Sequence, residues 1–434
     1  MPSPRLHALA SASLGVLAAF ASTRAVVGCG TDGTAVPMDA STDAAVPEAG
    51  DAAIPCDATG VTKGPWVLRV DGTSAIVRWE ACRAGTPAGV TFVVGPDGPS
   101  QLRTIESVET PFQVTETNRA PLDPRVEPDF AGTYFMHEAN VTGLEPSTCY
   151  RYSLDADTKR MGRVCTAKRV GEPFRFLSIG DTNPGLGDST MNVLRNTLVK
   201  VPDFTVHGGD IQYYDSTLET WASWFPIMQP LLSTGAFLPS VGNHESERPH
   251  EYEQYLERFF GGAGFAGTNA YYRFESGGVW FFTLDTEESL DAGSEQAKWF
   301  EAQLADAAAQ PGYRFSVVYF HRPWVTCGDS GDNAAARALF EPMFVKYKVS
   351  LVIQAHMHGY ERFELGDITY VTSAGGGGRL GNVDENITRP ECSQRKASGP
   401  FFHAVVFDVT AGKLAGTVID DKGAVRDTFE KAVP

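Results

Sequence analysis

A chain of 434 residues with 36 Lys+Arg against 53 Asp+Glu carries a formal net charge of -17, and 42% of its residues are hydrophobic against 21% charged. That composition excludes wholesale disorder, and the length asks for two or three domains. The acidic balance lacks the basic footprint of a nucleic-acid binder, and it would repel anionic substrates too unless a local cation such as a bound metal reversed the field.

Arg5 precedes a run of small and apolar residues from Ala8 to Ser22. This is shorter than the ~20 residues a spanning helix needs and suits the core of a signal peptide. Two cleavage sites compete within residues 1–28. Ala19-Phe20-Ala21 is an A-x-A site for ordinary secretion, whereas Val26-Val27-Gly28-Cys29 resembles the lipobox of bacterial lipoproteins, in which the cysteine is lipidated. Arg24 departs from the usual lipobox pattern. Of seven cysteines, six remain if Cys29 carries lipid, an even number suited to an oxidising compartment. Either way the chain is expected to be exported, with a membrane contact only through that anchor. Residues 29–58 are mostly Ala, Asp, Thr, Pro and Gly, with no Lys or Arg between Arg24 and Lys63. They read as a solvated acidic linker.

Residues 59–168 read as short alternating strands broken by Gly, Pro and Asp turns, which predicts a β-sandwich. Ala75, Val77 and Trp79 share one face of such a strand. The segment Leu144-Glu145-Pro146-Ser147-Thr148-Cys149-Tyr150-Arg151-Tyr152 resembles the turn into strand F of a fibronectin type III domain, where the first Tyr of a Y-x-Y pair anchors the corner. That resemblance places Cys149 and Cys165 on neighbouring strands, close enough to bridge, and has Cys56 and Cys82 tie the linker to the sandwich.

Residues 172–434 change texture. Apolar β runs at Phe174–Ile179, Phe204–His207, Phe237–Val241, Trp280–Leu284, Phe315–Phe320, Val349–Ile353 and Thr369–Thr372 alternate with helical periodicity. The helical sets are Met191, Leu194 and Leu198; Ala297, Phe300 and Leu304; and Leu339, Met343 and Phe344. This predicts a layered α/β domain of sheets flanked by helices, with a return to alternating strands from Phe401 to Phe429.

The residues just past the β runs carry the chemistry. Ile179 leads to Gly180-Asp181, and His207 to Gly208-Gly209-Asp210-Ile211-Gln212-Tyr213. Val241 leads to Gly242-Asn243-His244-Glu245, Phe320 to His321, and Ile353 to Gln354-Ala355-His356-Met357-His358. Sites of α/β sheets form where strands end and loops converge. Taken alone, Asp181 or His321 reads as a cap or a satisfied core polar residue. Together Asp181, Asp210, Tyr213, Asn243, His321, His356 and His358 are O and N donors suited to Fe, Zn or Mn. They are too many for one tetrahedral ion and fit two ions sharing a carboxylate. A trivalent and a divalent ion would leave a cationic site able to take an anion. His207, inside an apolar run, reads as a core histidine.

The five blocks, in this order, resemble those of the calcineurin-like metallophosphoesterases, and within them the purple acid phosphatases, over about residues 60–434. They stand as Gly180-Asp181-Thr182-Asn183, Gly209-Asp210-Ile211-Gln212-Tyr213, Gly242-Asn243-His244-Glu245, Tyr319-Phe320-His321-Arg322-Pro323 and Ala355-His356-Met357-His358. Tyr213 is the most specific mark. The resemblance implies Fe(III) on Asp181, Tyr213 and His358, and a divalent Zn, Mn or Fe on Asn243, His321 and His356, with Asp210 bridging. It implies His244 as the phosphate binder and general acid, in a phosphomonoester hydrolysis by metal-activated hydroxide with acid phosphatase activity. A phosphodiesterase or nucleotidase uses the same donors, and a non-catalytic surface lipoprotein would have eroded them. Asn183 stands where the family has Gly and is expected to narrow the mouth near Asp181; Ala355 likewise replaces a Gly. No His occurs in Trp324–Asp329, where plant relatives place substrate-side histidines. Cys327 and Cys392, left by pairing arithmetic, would staple two loops of the site. The resemblance names a small phosphorylated substrate and leaves the oligomeric state open.

Overall fold

Among the described residues, eight strands precede residue 168: β1 (Val61–Leu68), β2 (Ser74–Ala81), β3 (Gly89–Val94), β4 (Gln101–Glu106), β5 (Val108–Val114), β6 (Gly132–Thr142), β7 (Cys149–Leu154) and β8 (Met161–Cys165). The structure, a computed structural model, describes residues 54–94, 101–114, 130–184, 187–213, 221–246, 254–264 and 267–434. The signal segment, Cys29 and most of the 29–58 linker lie outside these. Strands β4-β3-β7-β8 form one sheet, and β1-β2-β6-β5 run side by side in another. Ala75, Val77 and Trp79 are buried on the face that the alternation assigns to them. Cys149 sits directly opposite Cys165 and bridges to it, and Cys56–Cys82 and Cys327–Cys392 are also disulfides. The Tyr150 hydroxyl accepts the backbone N–H of Glu145 at 2.8 Å, closing the corner before β7.

The chain continues with β9 (Phe174–Ile179), α1 (Ser189–Leu198), β10 (Phe204–His207), α2 (Trp221–Leu232), β11 (Ala236–Pro239) and a π-helical segment, Gln254–Phe260. Next come β12 (Tyr272–Ser276), β13 (Val279–Thr283), α3 (Glu295–Ala309), β14 (Phe315–Tyr319), α4 (Ala334–Lys346) and β15 (Val349–Gln354). The last elements are β16 (Tyr360–Leu365), β17 (Ile368–Ser373), β18 (Arg395–Gly399), β19 (His403–Val409), β20 (Lys413–Asp420) and β21 (Val425–Ala432). One sheet runs β21-β20-β19-β9-β10-β11-β1-β2-β6-β5 and the other β12-β13-β14-β15-β17-β16-β18.

Period-two alternation explains the layering. On the central strands of the second sheet Phe281, Val317, Leu351 and Ile353 point into the core shared with the first sheet. Their neighbours Phe282, Val318 and Val352 point into a second core with Phe300, Phe340 and Phe344 of α3 and α4. Phe176 of β9 meets Phe281 of β13 edge-on at 5.2 Å, which locks the two sheets face to face. Helices α1 and α2 cover the other face of the first sheet.

Two differences from the sequence expectation are instructive. The boundary expected at 168–172 does not separate two sheets: β1 pairs in parallel with β11 at Val67 and Ala236, so the N-terminal strands extend the sheet that holds β9, β10 and β11. Residues 51–434 form one compact unit. Lys63 and Arg258 reinforce the junction by flanking the buried Glu80 carboxylate at 2.6 and 2.7 Å. The second difference is α2, a helix that the sequence reading did not include. It buries Trp221, Trp224, Phe225, Met228, Leu231 and Leu232 on one face at helical spacing, but Pro226 and Pro230 on its exposed side read in sequence as helix breakers.

Candidate metal centre

Parallel pairing brings the strand ends to one edge. Ile179 of β9 and Pro239 of β11 both lie opposite His207 of β10, so Asp181, Asp210 and Asn243 emerge side by side. Tyr319 of β14 lies opposite Ile353 of β15, which delivers His321 and the 356–358 segment beside them. Asp181, Asp210 and His356 hold positive φ, at 58°, 50° and 66°. Non-glycine residues adopt that region at a cost of ~1–3 kcal/mol, and such strain gathers at functional sites. Glycine is required where the loops meet: a Cβ on Gly242 would stand 2.3 Å from the Asp210 amide nitrogen, and one on Gly208 would stand 2.8 Å from the Ala355 methyl. The Ala355 methyl thus fills the space beside Gly208.

The donors converge in two groups. In the first, the Tyr213 hydroxyl lies 2.9 Å from Asp181 Oδ1 and 2.9 Å from His358 Nε2, and that nitrogen is 3.2 Å from Asp181 Oδ1. In the second, His321 Nε2 lies 3.1 Å from Asn243 Oδ1, 3.0 Å from His356 Nδ1 and 3.3 Å from Asp210 Oδ2. Asp210 belongs to both: Asp181, Asp210 and His358 form one metal-competent cluster and Asp210, His321 and His356 the other. His356 and His358 diverge because positive φ at His356 breaks the extended run between them. His321 Nδ1 donates to the Gly208 carbonyl at 3.0 Å and His358 Nδ1 to the Arg379 carbonyl at 2.7 Å, so each neutral ring turns its Nε2 lone pair into the cluster. Lone pairs facing lone pairs at about 3 Å call for a cation between them, so the donor set fits metal ions.

Without a metal the same field favours a proton in its place: burial opposes a charge on His321, but the Asp210 carboxylate overrides it and pushes His321 up to about 10. Burial and the neighbouring His321 hold His356 down at about 3. Burial, reinforced by the Asp181 charge, drives the Tyr213 phenol well above its ordinary range, so only a strong Lewis acid would convert it to phenolate.

His244 stands beside this cluster. Its backbone N–H donates to Asp210 Oδ1 at 3.0 Å, its ring lies 4.4 Å from the Tyr213 ring, and it lines an open cleft of about 490 Å³. Its neighbour Glu245 points the other way. The Glu245 carboxylate accepts the backbone N–H groups of Asp210 (2.7 Å), Ile211 (2.7 Å) and Gly242 (2.9 Å), clamping the second block to the third. Glu245→Ala strands three buried amides, and at ~1–3 kcal/mol for each stranded group the unfolding free energy should fall by at least about 3 kcal/mol. Denaturant titration checks this, and an unchanged midpoint would show the clamp to be dispensable.

The glycine run Gly375–Gly378 closes over the donors. The Gly376 amide donates to the Gly180 carbonyl and the Gly378 amide to that of Asp181, and a Cβ on Gly378 would stand 2.8 Å from the His358 ring. Asn183 departs from expectation. It is buried under this run and does not line the cleft, so it does not narrow the mouth. His207 is a core residue, accepting the Gly209 amide and hydrogen-bonded to Thr182. Sequence reasoning did not reach Asp329, Ser330, Arg379 and Asn382, which line the cleft. The Cys327–Cys392 disulfide anchors the loop carrying Asp329. Arg322, held by Glu287 at 2.8 and 2.9 Å, places Nη1 3.3 Å from His356 Nε2. The signal for it was its place directly after His321.

Residues 174–360 match the family described as calcineurin-like phosphoesterase. An uncharacterized protein of Mycobacterium tuberculosis is 27% identical over 270 residues, covering 52% of this chain and 50% of its own length. Purple acid phosphatase 22 of Arabidopsis thaliana is 26% identical over 242 residues, covering 53% of this chain and 54% of its own length. The chain thus spans about half the length of the curated relatives it matches. The structure of a purple acid phosphatase from yellow lupin seeds superposes with a TM-score of 0.67 at 18% identity, covering 85% of this chain and 74% of that one. That of PhoD does so with a TM-score of 0.57 at 13% identity, covering 86% and 90%. Both describe the fold, and the fold family implies a dinuclear metal site. Residues 174–360 thus carry a calcineurin-like phosphoesterase domain, and the chain is similar to the purple acid phosphatases in its ordered blocks and in Tyr213 set against Asp181 and His358.

Proposed function

We propose that this chain is an exported dinuclear-metal phosphatase that hydrolyses phosphomonoesters under acid conditions. The observation that carries the reading is Asp210, whose carboxylate belongs to both metal-competent clusters. Asp181, Tyr213 and His358 would hold a ferric ion, and Asn243, His321 and His356 a divalent Zn, Mn or Fe. When bound, the two ions would supply a nucleophilic oxygen and a positive clamp for the phosphoryl group. The protein's own residues do the rest. His244, on the cleft wall, holds a proton for the departing alcohol oxygen. The Gly208 and Arg379 carbonyls fix the imidazoles of His321 and His358, and the Glu245 clamp holds Asp210 and His244 in register.

Tyr213 tests the metal assignment. A phenolate on Fe(III) absorbs visible light, whereas Zn or Mn beside a neutral phenol does not. Purified protein should be coloured, and Tyr213→Phe should bleach it. A colourless, active protein holding only divalent ions would remove the ferric assignment. Assays on a chromogenic phosphomonoester and diester at acid and neutral pH test the substrate class, with faster monoester turnover at acid pH expected.

Export rests on the signal-like run, the cysteine arithmetic and the three disulfides. Lipidation at Cys29 would leave the mature protein in the bacterial envelope, and Cys29→Ser should shift it from the membrane fraction to the soluble one. Unchanged fractionation would count against the lipobox. The strand order β4-β3-β7-β8 and the Tyr150 corner support a fibronectin type III-like sandwich for residues 59–168.

A further inference from the structure

The metal donors and His244 account for the phosphoryl group, yet the cleft of about 490 Å³ has room beyond it for the alcohol being released. One residue of its wall stands out by charge. Arg379 is the only Lys or Arg among the described residues lining the cleft. Its carbonyl accepts His358 Nδ1 at 2.7 Å, which fixes its backbone against the metal cluster. Its side chain is exposed, and its guanidinium makes no hydrogen bond, ion pair or ring contact among the described residues. The carboxylate of Asp329, on the same wall, is engaged: its Oδ2 accepts the Asn382 amide at 2.7 Å. In a chain of net charge -17, the described part of the wall therefore offers an incoming substrate a planar cation with no ion-pair partner among the described residues, beside the phosphate site. A guanidinium is shaped for bidentate binding of a carboxylate or a phosphate.

We propose that Arg379 binds a second anionic group on the alcohol portion of the substrate, so that preferred substrates are phosphomonoesters whose alcohol carries a carboxylate or a further phosphate. This rests on the phosphatase reading above. The test uses non-hydrolysable phosphonates on the metal-loaded full chain, measured by calorimetric titration. n-Butylphosphonate presents the phosphonate alone, 4-phosphonobutyrate adds a carboxylate, and propane-1,3-bisphosphonate adds a second phosphonate. Wild type should bind at least one of the doubly anionic compounds roughly tenfold or more tighter than n-butylphosphonate, the scale of a charge-assisted hydrogen bond. The tighter of the two identifies the second group. Arg379→Gln should abolish that preference and Arg379→Lys keep part of it. In kinetics, the ratio of kcat/KM for a carboxylate-bearing monoester to that for p-nitrophenyl phosphate should fall in Arg379→Gln by a similar factor. Equal wild-type affinities, or a preference that survives in Arg379→Gln, would overturn the proposal and leave the phosphatase reading intact. Failure of wild type to bind any phosphonate would overturn that reading and this proposal with it.

Discussion

Replacing His244 with alanine should lower the turnover number on a phosphomonoester by roughly 10²–10⁴, the scale of a lost general acid, while metal content stays at the wild-type level. The geometry separates the two readouts. His244 ties to the cluster through its backbone, which donates to Asp210 Oδ1 at 3.0 Å, and its Nε2 stays 3.9 Å from Asp210 Oδ2. Its ring lines the cleft beside Tyr213, where an alcohol oxygen would depart. The backbone bond survives the substitution, so the second block keeps its position. Substrates with good leaving groups, which need little proton transfer, should lose less than substrates with poor ones. Loss of metal in His244→Ala would make His244 a ligand and remove it from the acid role.

Asp210→Ala should have the larger effect on composition. Losing an outer-shell partner of a metal typically costs roughly 10–100-fold in affinity, and Asp210 would be a direct ligand shared by both ions. Both affinities should therefore fall by more than that, and activity with them. Asp181→Ala would remove a donor from one cluster only and should weaken one ion far more than the other. Equal losses in the two variants, read by metal analysis after dialysis, would argue against a shared carboxylate.

Most of this site was legible in sequence because each block is local. A buried parallel strand is a continuous apolar run, so β9 and β10 are bounded by their composition alone, and the proposed donors come within a few residues. The expectation of two metals came from donor type and number before any geometry. The parts that stayed hidden depend on contacts between distant segments. The pairing of Val67 with Ala236 makes the N-terminal strands part of the sheet that holds β9, β10 and β11, and no periodicity encodes it. Glu245 looks like a second acid beside His244, and only the fold shows it turned onto three amides. Asn183 reads as a residue of the mouth because it comes so soon after Asp181, but the glycine run from the far end of the domain covers it. Arg379 sits near that run with nothing in the sequence to show that it shares a cleft with His244. In each case the chemistry is set by the partner, not by the residue type.

The claim on which the rest depends is that the donors around Asp210 hold two metal ions that carry phosphoester hydrolysis. The most direct measurement is metal analysis of the purified chain combined with hydrolysis of a chromogenic phosphomonoester before and after chelation. The account predicts two ions per chain, activity lost when they are stripped, and activity restored when iron and a divalent ion are returned together. Undiminished hydrolysis by a metal-free chain, or two bound ions with no phosphoester hydrolysis at any pH, would contradict it.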